Sequence, residues 1–342
     1  MRSKNIAVGS WVDAKLKLEK EGVTVIIIKE KEIEKTVTMP MALPIFRKTY
    51  EDCVNGYIYA GDRIVMPVRG EENCAQWLVA VCTNVPIFGS KFASVFPANV
   101  SKGMPSVLSQ ISLYSAETGE ILALIDANYL TAIKTGGSAA IATDLMANKN
   151  ADKLGIIGTG TQAFTQVLGI QEVRDLSELH VYDTSKDRVQ NFVERVRSAQ
   201  NRPYKIIAAG SADECVSASE IVCTCTPSLK PVFNGDAIKP GTHINAIGSF
   251  TPFMQEIDET TVMRAQKVIT EHAEGLWAAA GDILIPFNKG LFGKDKLNGT
   301  VGEVLTGKIP GRESEDEITL YESVGSCVLD IAIAIAVYDI NK

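Results

Sequence analysis

The sequence is poor in the residue types that build metal sites and disulfide frameworks. It contains only three histidines, His180, His243 and His272, and none lies at ligand spacing from a cysteine pair, so no metal is expected. The seven cysteines are an odd number without paired spacing, which favours reduced thiols in a cytoplasmic protein.

Long apolar runs and an excess of positive charge are absent as well. No run is long enough to span a bilayer, and the residues after Arg2 and Lys4 are not apolar enough for a secretory signal. The formal net charge of -7 argues against a nucleic-acid partner, which would favour a basic surface. A chain of 342 residues that is 46% hydrophobic suggests two domains with a sizeable core.

A glycine-rich turn between a strand pattern and a helix pattern is the strongest feature that is present. The apolar run 154–157 leads into the turn, and apolar residues then recur at helical spacing. Gly158 allows the turn, Gly160 lets the backbone approach a pyrophosphate, and Ala163 permits close helix–strand packing. The helix N terminus at Thr161 and Gln162 offers free N–H groups to the same anion, which predicts a dinucleotide-binding fold.

An acidic residue follows the next predicted strand. Residues 179–182 are strand-like and end in Asp183, at the position of an acid that hydrogen-bonds the adenosine ribose. Such an acid repels the 2′-phosphate of NADP(H), whereas Lys186 and Arg188 nearby reduce that repulsion. We therefore expect NAD(H) as the cofactor, with NADP(H) as the alternative.

Two parts of the chain differ in how strands and helices follow one another. Residues 25–126 are strand-rich without strand–helix–strand alternation, whereas strands and helices alternate after residue 153. The predicted fold class is α/β, with a Rossmann-type doubly wound parallel sheet and a strand-rich α+β domain. We expect an N-terminal extension at residues 1–24, a strand-rich domain at 25–130 with 318–342, and a Rossmann domain at 131–317.

Short motifs along most of the chain occur in the order found in one protein family. They lie at residues 65–69, 89–92, 95–97, 117–120, 130–136, 158–163, 243–249, 280–283 and 323–325. On these motifs the chain resembles the ornithine cyclodeaminase/mu-crystallin family from about Val25 to the C terminus. The resemblance implies a nicotinamide dinucleotide, a small α-amino or α-imino acid substrate, and a homodimer formed through the strand-rich, substrate-binding domain.

By family position, three basic residues, Arg69, Lys91 and Lys134, converge on the substrate. Charge-assisted hydrogen bonds from basic side chains hold a carboxylate strongly. Lys91 lies in an apolar strand, where burial would lower the pKa of its ammonium, so it is also the candidate proton donor. Relatives usually carry arginine at Lys134, which is therefore either a weaker carboxylate ligand or a solvated surface cation.

The ends of two further strands and the C-terminal motif add candidates for cofactor binding. In a doubly wound sheet the cofactor lies in the crevice at the carboxyl ends of the strands. A nearby acid, Asp330, is equally a local pairing partner or a site residue. The candidates are Thr224, Thr226, Pro227, Asn245, Gly248, Ser249, Val324 and Gly325.

Two departures from the family pattern bear on the reaction. Cyclodeaminases carry an aspartate where this chain has Phe250, and an acid before the lysine, whereas no Asp or Glu lies between Cys74 and Lys91. Because an apolar side chain cannot transfer a proton, ornithine cyclodeamination is disfavoured. We predict an NAD(P)-dependent ketimine reductase, such as 1-pyrroline-2-carboxylate reductase, or an amino-acid dehydrogenase.

Two alternatives remain open on the sequence. One is an ornithine cyclodeaminase, which forms proline and ammonia, using other groups for the proton transfers. The other is a binding protein similar to mu-crystallin that holds the cofactor and a small ligand with little turnover. Cofactor affinity without turnover of any amino or imino acid would favour the second alternative.

Overall fold

The computed structural model describes residues 25–70 and 73–342, so the predicted extension at 1–24 lies outside the described residues. The strands form two sheets, and none of the helices in the described ranges is long and apolar enough to cross a membrane. The strands are β1 (Ile26–Ile28), β2 (Ile58–Ala60), β3 (Ile64–Pro67), β4 (Cys74–Cys82), β5 (Ile87–Val95), β6 (Val107–Ser115), β7 (Ile121–Asp126), β8 (Lys153–Ile157), β9 (Glu178–Tyr182), β10 (Lys205–Ala208), β11 (Ile221–Thr224), β12 (His243–Ala246), β13 (Lys267–Thr270), β14 (Leu297–Thr300) and β15 (Thr319–Glu322). The α-helices are α1 (Glu30–Thr36), α2 (Met39–Val54), α3 (Asn128–Met146), α4 (Thr161–Ile170), α5 (Lys186–Arg197), α6 (Ala212–Ser217), α7 (Glu259–Arg264), α8 (Ala273–Ala279), α9 (Gly281–Asn288), α10 (Val301–Leu305) and α11 (Cys327–Asn341).

The first sheet contains seven strands from the N-terminal part and is mostly antiparallel. Its order is β1-β7-β6-β5-β4-β2, with β3 also paired to β4, and β1 runs parallel to β7. Along β5 the residues Ile87, Gly89, Lys91 and Ala93 are buried, whereas the residues between them are half-buried. This alternation places one face of the sheet on the core, as the strand pattern predicts.

The second sheet is the parallel sheet that the strand–helix alternation predicts. Its eight strands follow the order β10-β9-β8-β11-β12-β15-β13-β14, so β8 lies between β9 and β11. Strands β11, β12, β13 and β15 are buried at every residue, because helices cover both faces of the sheet. The predicted Rossmann-type doubly wound fold is confirmed.

One predicted boundary is wrong. The sequence assigned everything from residue 318 onward to the strand-rich part, but β15 lies inside the parallel sheet between β12 and β13. The chain therefore leaves the parallel sheet only after Glu322. A four-residue strand is too short to give a periodic pattern of its own, and only its pairing with two neighbouring strands identifies it.

Helix α3 joins the two sheets and packs against α4 of the nucleotide-binding half. The two helices approach so closely that a Cβ on Gly136 would lie 2.2 Å from the Thr165 carbonyl oxygen. A Cβ on Gly169 would likewise lie 2.4 Å from the Gly136 carbonyl oxygen. These glycines therefore set the helix spacing, and with it the position of Lys134 on α3.

The C-terminal helix α11 returns to the strand-rich part, as its apolar sequence predicts. It packs against β4, β5 and β6 and against α2 and α3. Its buried residues belong to the same core as those of the first sheet, including Ile111, Leu113 and Ile331. The first turn of α11 carries Asp330, which is thereby fixed next to the inner face of β5.

Candidate active site

The glycine-rich turn lies where the parallel sheet reverses its strand order, between β8 and β11. Gly158 has a φ of 90°, and a Cβ there would lie 2.8 Å from both the Cys225 carbonyl oxygen and Thr226 Cγ2. Gly160 is exposed, and a Cβ on it would meet nothing within 4 Å. The first glycine thus lets two strand ends touch, whereas the second leaves open space above the turn.

The N terminus of α4 faces this open space. Thr161 is exposed and Gln162 is half-buried, with an amide oxygen that has no hydrogen-bond partner within residues 25–70 and 73–342. Ala163 is fully buried in the core around β8, β9 and α4. Free N–H groups beside a space that a Cβ would fill are suited to an anion such as a pyrophosphate.

Asp183 directly follows β9, and the glycine-rich turn holds its carboxylate. Oδ2 accepts hydrogen bonds from the backbone N–H and the hydroxyl of Thr159, at 3.0 and 2.8 Å, and Oδ1 accepts one from the Ser185 N–H at 2.9 Å. Burial raises the pKa of Asp183, but the hydrogen bonds from Ser185 and Thr159 outweigh it and lower the pKa. An ionised carboxylate therefore lies beside the turn.

Three predicted cofactor residues at the ends of β11 and β12 donate hydrogen bonds to one carboxylate, that of Glu256, which the sequence analysis did not identify. Glu256 is fully buried and accepts hydrogen bonds from Thr224, Thr226 and the Gly248 N–H. Burial raises the pKa of Glu256 to about 7, against the opposing effect of these hydrogen bonds. Pro227 is exposed next to this cluster.

Two predicted cofactor residues instead occupy the core. Asn245 is fully buried within β12, where its amide donates to Thr143 Oγ1 at 3.0 Å and its oxygen lies 3.2 Å from His243 Nε2. Ser249 is also fully buried and donates to the Met254 carbonyl oxygen at 3.0 Å. Strand direction placed both near the crevice, but the alternation of side chains turns Asn245 toward α3.

A buried ionic group joins β5, α3 and α11. Lys91 Nζ on β5 lies 2.8 Å from Asp330 Oδ1 on α11, and Lys134 Nζ on α3 lies 3.7 Å from Asp330 Oδ2. The side chains of these three residues are between 2 and 7% exposed. Lys134 is therefore a buried residue of the site, and the interpretation as a solvated surface cation is wrong.

Burial and the neighbouring charges shift the pKa values of Lys91 and Asp330. Burial lowers the pKa of the Lys91 ammonium, Asp330 opposes that shift, and Lys134 adds to it. Burial would raise the pKa of Asp330, but Lys134 and Lys91 outweigh it and hold the pKa below its usual range. An ammonium with a lowered pKa, such as that of Lys91, releases its proton more readily, and the ionised carboxylate of Asp330 beside it favours the return of a proton.

The arginine beside this group is Arg63 rather than Arg69. Arg63 Nη2 donates to the carbonyl oxygens of Val324 and Gly325, at 2.9 and 2.8 Å. A Cβ on Gly325 would lie 2.9 Å from Lys134 Nζ and 3.9 Å from Arg63 Nη2, so both cations converge there. Burial lowers the pKa of the Arg63 guanidinium, and Glu271 opposes that shift.

Arg69 does not join the other two predicted substrate residues. It is exposed at the far end of β3, in the turn toward β4, with a φ of 49°. Arg63 and Arg69 lie at opposite ends of β3, and the Arg63 end contacts the loop before α11, whereas the Arg69 end leads into the turn toward β4. The sequence has a basic residue, Arg63, directly before the predicted strand 64–68, but it does not indicate which end of that strand lies near the other cations.

The loop between β15 and α11 is held from both sides. Glu271 accepts hydrogen bonds from the Gly325 N–H, from Ser323 Oγ at 3.2 Å and from the Tyr321 hydroxyl at 2.8 Å. On the opposite side Lys134 donates to the Ser326 carbonyl oxygen at 3.3 Å. The loop that carries Val324 and Gly325 follows the carboxyl end of β15 and therefore forms one wall of the crevice, with Arg63 and Lys134 beside it.

Comparison with known proteins agrees with this architecture. A 1-pyrroline-2-carboxylate reductase of Bacillus cereus is 33% identical over 82% of this chain and 87% of the relative. The structure of the Thermococcus litoralis enzyme of that name, in complex with NADH and L-proline, gives a TM-score of 0.88 at 30% identity, covering 92% of this chain and 97% of the other. An archaeal alanine dehydrogenase dimer with bound NAD gives 0.86 at 30% identity, covering 92% and 95%. The ornithine cyclodeaminase/mu-crystallin family model matches residues 24–342, so the chain belongs to this family.

Proposed function

We propose that this chain is an NAD(H)-dependent oxidoreductase that reduces a small cyclic α-imino acid, such as 1-pyrroline-2-carboxylate, to the amino acid. One observation carries the proposal: Arg63, Lys91 and Lys134 converge around Asp330 at the wall of the dinucleotide crevice. The reductase names of the relatives support the same reaction class.

The charges of the site suit a substrate with one carboxylate. The three cations face two carboxylates, Asp330 and Glu271, so one positive charge remains without a partner among these groups. Arg63 and Lys134 meet at Gly325 and can grip the substrate carboxylate through charge-assisted hydrogen bonds. Holding the carboxylate there fixes the α-carbon relative to the crevice.

Reduction of a C=N bond consumes one hydride and one proton. NADH supplies the hydride when it is bound. The ammonium of Lys91, with its lowered pKa, gives its proton to the imine nitrogen, and neutral Lys91 then regains a proton from solvent. Asp330 stays ionised throughout and orients Lys91 through the 2.8 Å hydrogen bond.

The crevice residues fit a dinucleotide. The open space at Gly160 and the exposed start of α4 suit the pyrophosphate, and the ionised Asp183 suits the adenosine ribose of NAD(H). Thr226 and Gly248 follow the carboxyl ends of β11 and β12, and Val324 follows that of β15, so we assign the nicotinamide half of the crevice to this edge of the sheet. We expect NADP(H) to bind more weakly than NAD(H), because Asp183 would repel the 2′-phosphate of NADP(H).

An amino-acid dehydrogenase is the second candidate, supported by the alanine dehydrogenase that shares this fold. It would use the same groups, since oxidation of an α-amine is the reverse hydride and proton transfer. Phe250 lies half-buried after β12, where it offers no proton, so ornithine cyclodeamination is disfavoured.

A panel of substrates tests these assignments. The purified protein is mixed with NADH and 1-pyrroline-2-carboxylate, with NADH, pyruvate and ammonia, or with NAD and ornithine, and nicotinamide absorbance is followed. We expect fast reduction of the cyclic imine and no proline from ornithine. Turnover only with pyruvate and ammonia would favour the dehydrogenase, and cofactor binding without any turnover would contradict an enzymatic role.

Two lysine variants sharpen the test. Lys91→Met keeps most of the side-chain volume but removes the proton, so kcat should fall by roughly 100-fold or more. Lys239 is exposed ahead of β12, at the end of the sheet opposite the crevice, and Lys239→Met is the matched control. Equal kinetics for the two variants would remove Lys91 from the mechanism.

We further propose that the chain forms a homodimer through the outer face of the first sheet. Tyr59, Ile64, Met66, Trp77 and Val79 on this face are between 41 and 57% exposed. Neighbouring strands place them side by side, since Ile64 pairs with Trp77. A contiguous apolar face of this kind indicates an interface between proteins.

Light scattering tests the dimer directly. We expect twice the mass of one chain, and the double substitution Trp77→Glu with Val79→Lys should give monomers. An unmutated protein that is monomeric and active would contradict the proposal.

We also propose a cytoplasmic location, since all seven cysteines are free thiols, which suits a reducing compartment.

A further inference from the structure

Glu256 occupies a position behind the crevice that the proposed reaction does not yet explain. The residues Ile157, Thr224 and Ala246 end three adjacent strands, β8, β11 and β12, at the same level of the sheet. Glu256 reaches these strand ends from the segment between β12 and α7, and its side chain is fully buried. A buried carboxylate is costly unless its oxygens are hydrogen-bonded.

Both oxygens of Glu256 are used to hold loops. Oε1 accepts hydrogen bonds from the Thr226 N–H at 2.5 Å and from its hydroxyl at 2.7 Å. Oε2 accepts hydrogen bonds from the Thr224 hydroxyl at 2.9 Å and from the Gly248 N–H at 2.6 Å. The two backbone N–H groups belong to different loops, so one carboxylate joins the ends of β11 and β12.

The backbone around Glu256 is packed closely, as the joining of these two loops requires. A Cβ on Gly248 would lie 2.2 Å from the Thr226 carbonyl oxygen and 2.6 Å from Glu256 Oε2, so only glycine fits there. Gly158 of the pyrophosphate turn approaches the Thr226 side chain, since a Cβ there would lie 2.8 Å from Thr226 Cγ2. Asp282 Oδ1 in turn accepts hydrogen bonds from the N–H groups of Glu256 and Ile257, at 2.7 and 3.0 Å, and fixes their segment.

We propose that Glu256 is the positioning residue of the nicotinamide half of the cofactor site, acting by joining the loops after β11 and β12. This inference rests on the proposed cofactor crevice. Glu256 does not itself contact the cofactor; it sets the spacing of Thr226 and Gly248, which border the nicotinamide. The adenosine half of the crevice, at Asp183 and the start of α4, does not depend on this carboxylate.

Binding of two ligands that differ only in the nicotinamide tests this division. The change Glu256→Gln keeps the shape but turns one acceptor oxygen into an NH2 group, which cannot accept from Thr226 or Gly248. We expect the Kd for NADH to rise roughly tenfold, as loss of a charge-assisted hydrogen bond implies, while the Kd for ADP-ribose stays within about twofold. We also expect a larger loss in kcat than in the KM for the imine.

A matched variant separates positioning from general loosening of the fold. Asp258 also accepts two backbone N–H bonds and one hydroxyl bond, from Gly235 and Thr261, but it does so at the start of α7. Asp258→Asn should lower the thermal midpoint yet leave the ratio of NADH to ADP-ribose affinity unchanged. If Glu256→Gln folds poorly, Thr224→Val removes one of the four hydrogen bonds and should shift that ratio in the same direction by a smaller factor.

Three results would overturn the proposal. They are equal weakening of NADH and ADP-ribose in Glu256→Gln, an unchanged ratio in both Glu256→Gln and Thr224→Val, or the same ratio shift in Asp258→Asn. The test measures binding, so it is independent of which imino or amino acid is turned over. Failure of the proposed reaction would instead leave both ligands bound and no substrate reduced by the unchanged protein.

Discussion

The proposed assignment of the carboxylate anchor to Arg63 in place of Arg69 gives the sharpest test of the substrate site. Arg63 is half-buried and donates to the carbonyl oxygens of Val324 and Gly325 through Nη2. Among the hydrogen bonds to the described residues, Arg63 uses only Nη2, so we expect Nε or Nη1 to bind the substrate carboxylate. Arg69 is exposed and makes no hydrogen bond to the described part of the chain.

The expected size of the effect follows from the hydrogen bonds at stake. A hydrogen bond to a charged group contributes about 1.5–3 kcal/mol, which corresponds to a factor of about 10 to 150 in affinity. Arg63→Ala should therefore raise the KM for 1-pyrroline-2-carboxylate at least tenfold. Arg63→Lys should recover only part of the loss, because lysine keeps the charge but lacks the planar fork.

Initial rates at saturating NADH measure this change, with NADH affinity determined separately by fluorescence. Arg69→Ala is the matched control, since it removes the same side chain from the opposite end of β3 and should leave both constants within about twofold. A KM for Arg63→Ala equal to that of the unchanged protein, or a larger effect from Arg69→Ala, would refute the assignment of the carboxylate anchor.

Further predictions concern the second cation, the cofactor, the helix contact and pH. Lys134→Ala should raise the substrate KM roughly tenfold with little change in NADH affinity, measured by the same assays. Asp183→Ala should weaken NADH binding and reduce the ratio of NADH affinity to NADPH affinity. A clear preference of the unmutated protein for NADPH would contradict the proposed role of Asp183. Gly136→Ala should lower the thermal midpoint strongly because its Cβ would meet the α4 backbone, whereas Gly61→Ala, in open space, should have little effect. Burial lowers the pKa of His243 from 6.5 to about 3. As the pH drops from 6.5 to 3, the histidine is protonated in the unfolded chain before it is protonated in the folded chain, so the free energy of unfolding should fall. Denaturant titrations should show a weaker pH dependence of this free energy in His243→Asn.

Local patterns in the sequence were sufficient for the fold class and for the position of the dinucleotide turn. Gly158 supplies a positive φ, Ala163 packs under the helix, and strands and helices alternate with their own periods. The apolar strand around Lys91 likewise indicated a buried cation, and the Lys91 side chain is indeed buried. The family assignment also followed from ordered motifs and is confirmed over residues 24–342.

The composition of the proposed substrate site, in contrast, depends on contacts that only the folded chain makes. Lys91 and Asp330 are 239 positions apart, and Arg63 and Val324 are 261 apart, so no periodicity or local spacing reports their contact. The proposed choice of Arg63 over Arg69 depended on which end of β3 meets the loop before α11, and the entry of β15 into the parallel sheet depended on its two neighbours. Short strands and single charges carry little local signal, because their partners lie elsewhere in the chain and only folding brings them within hydrogen-bonding distance.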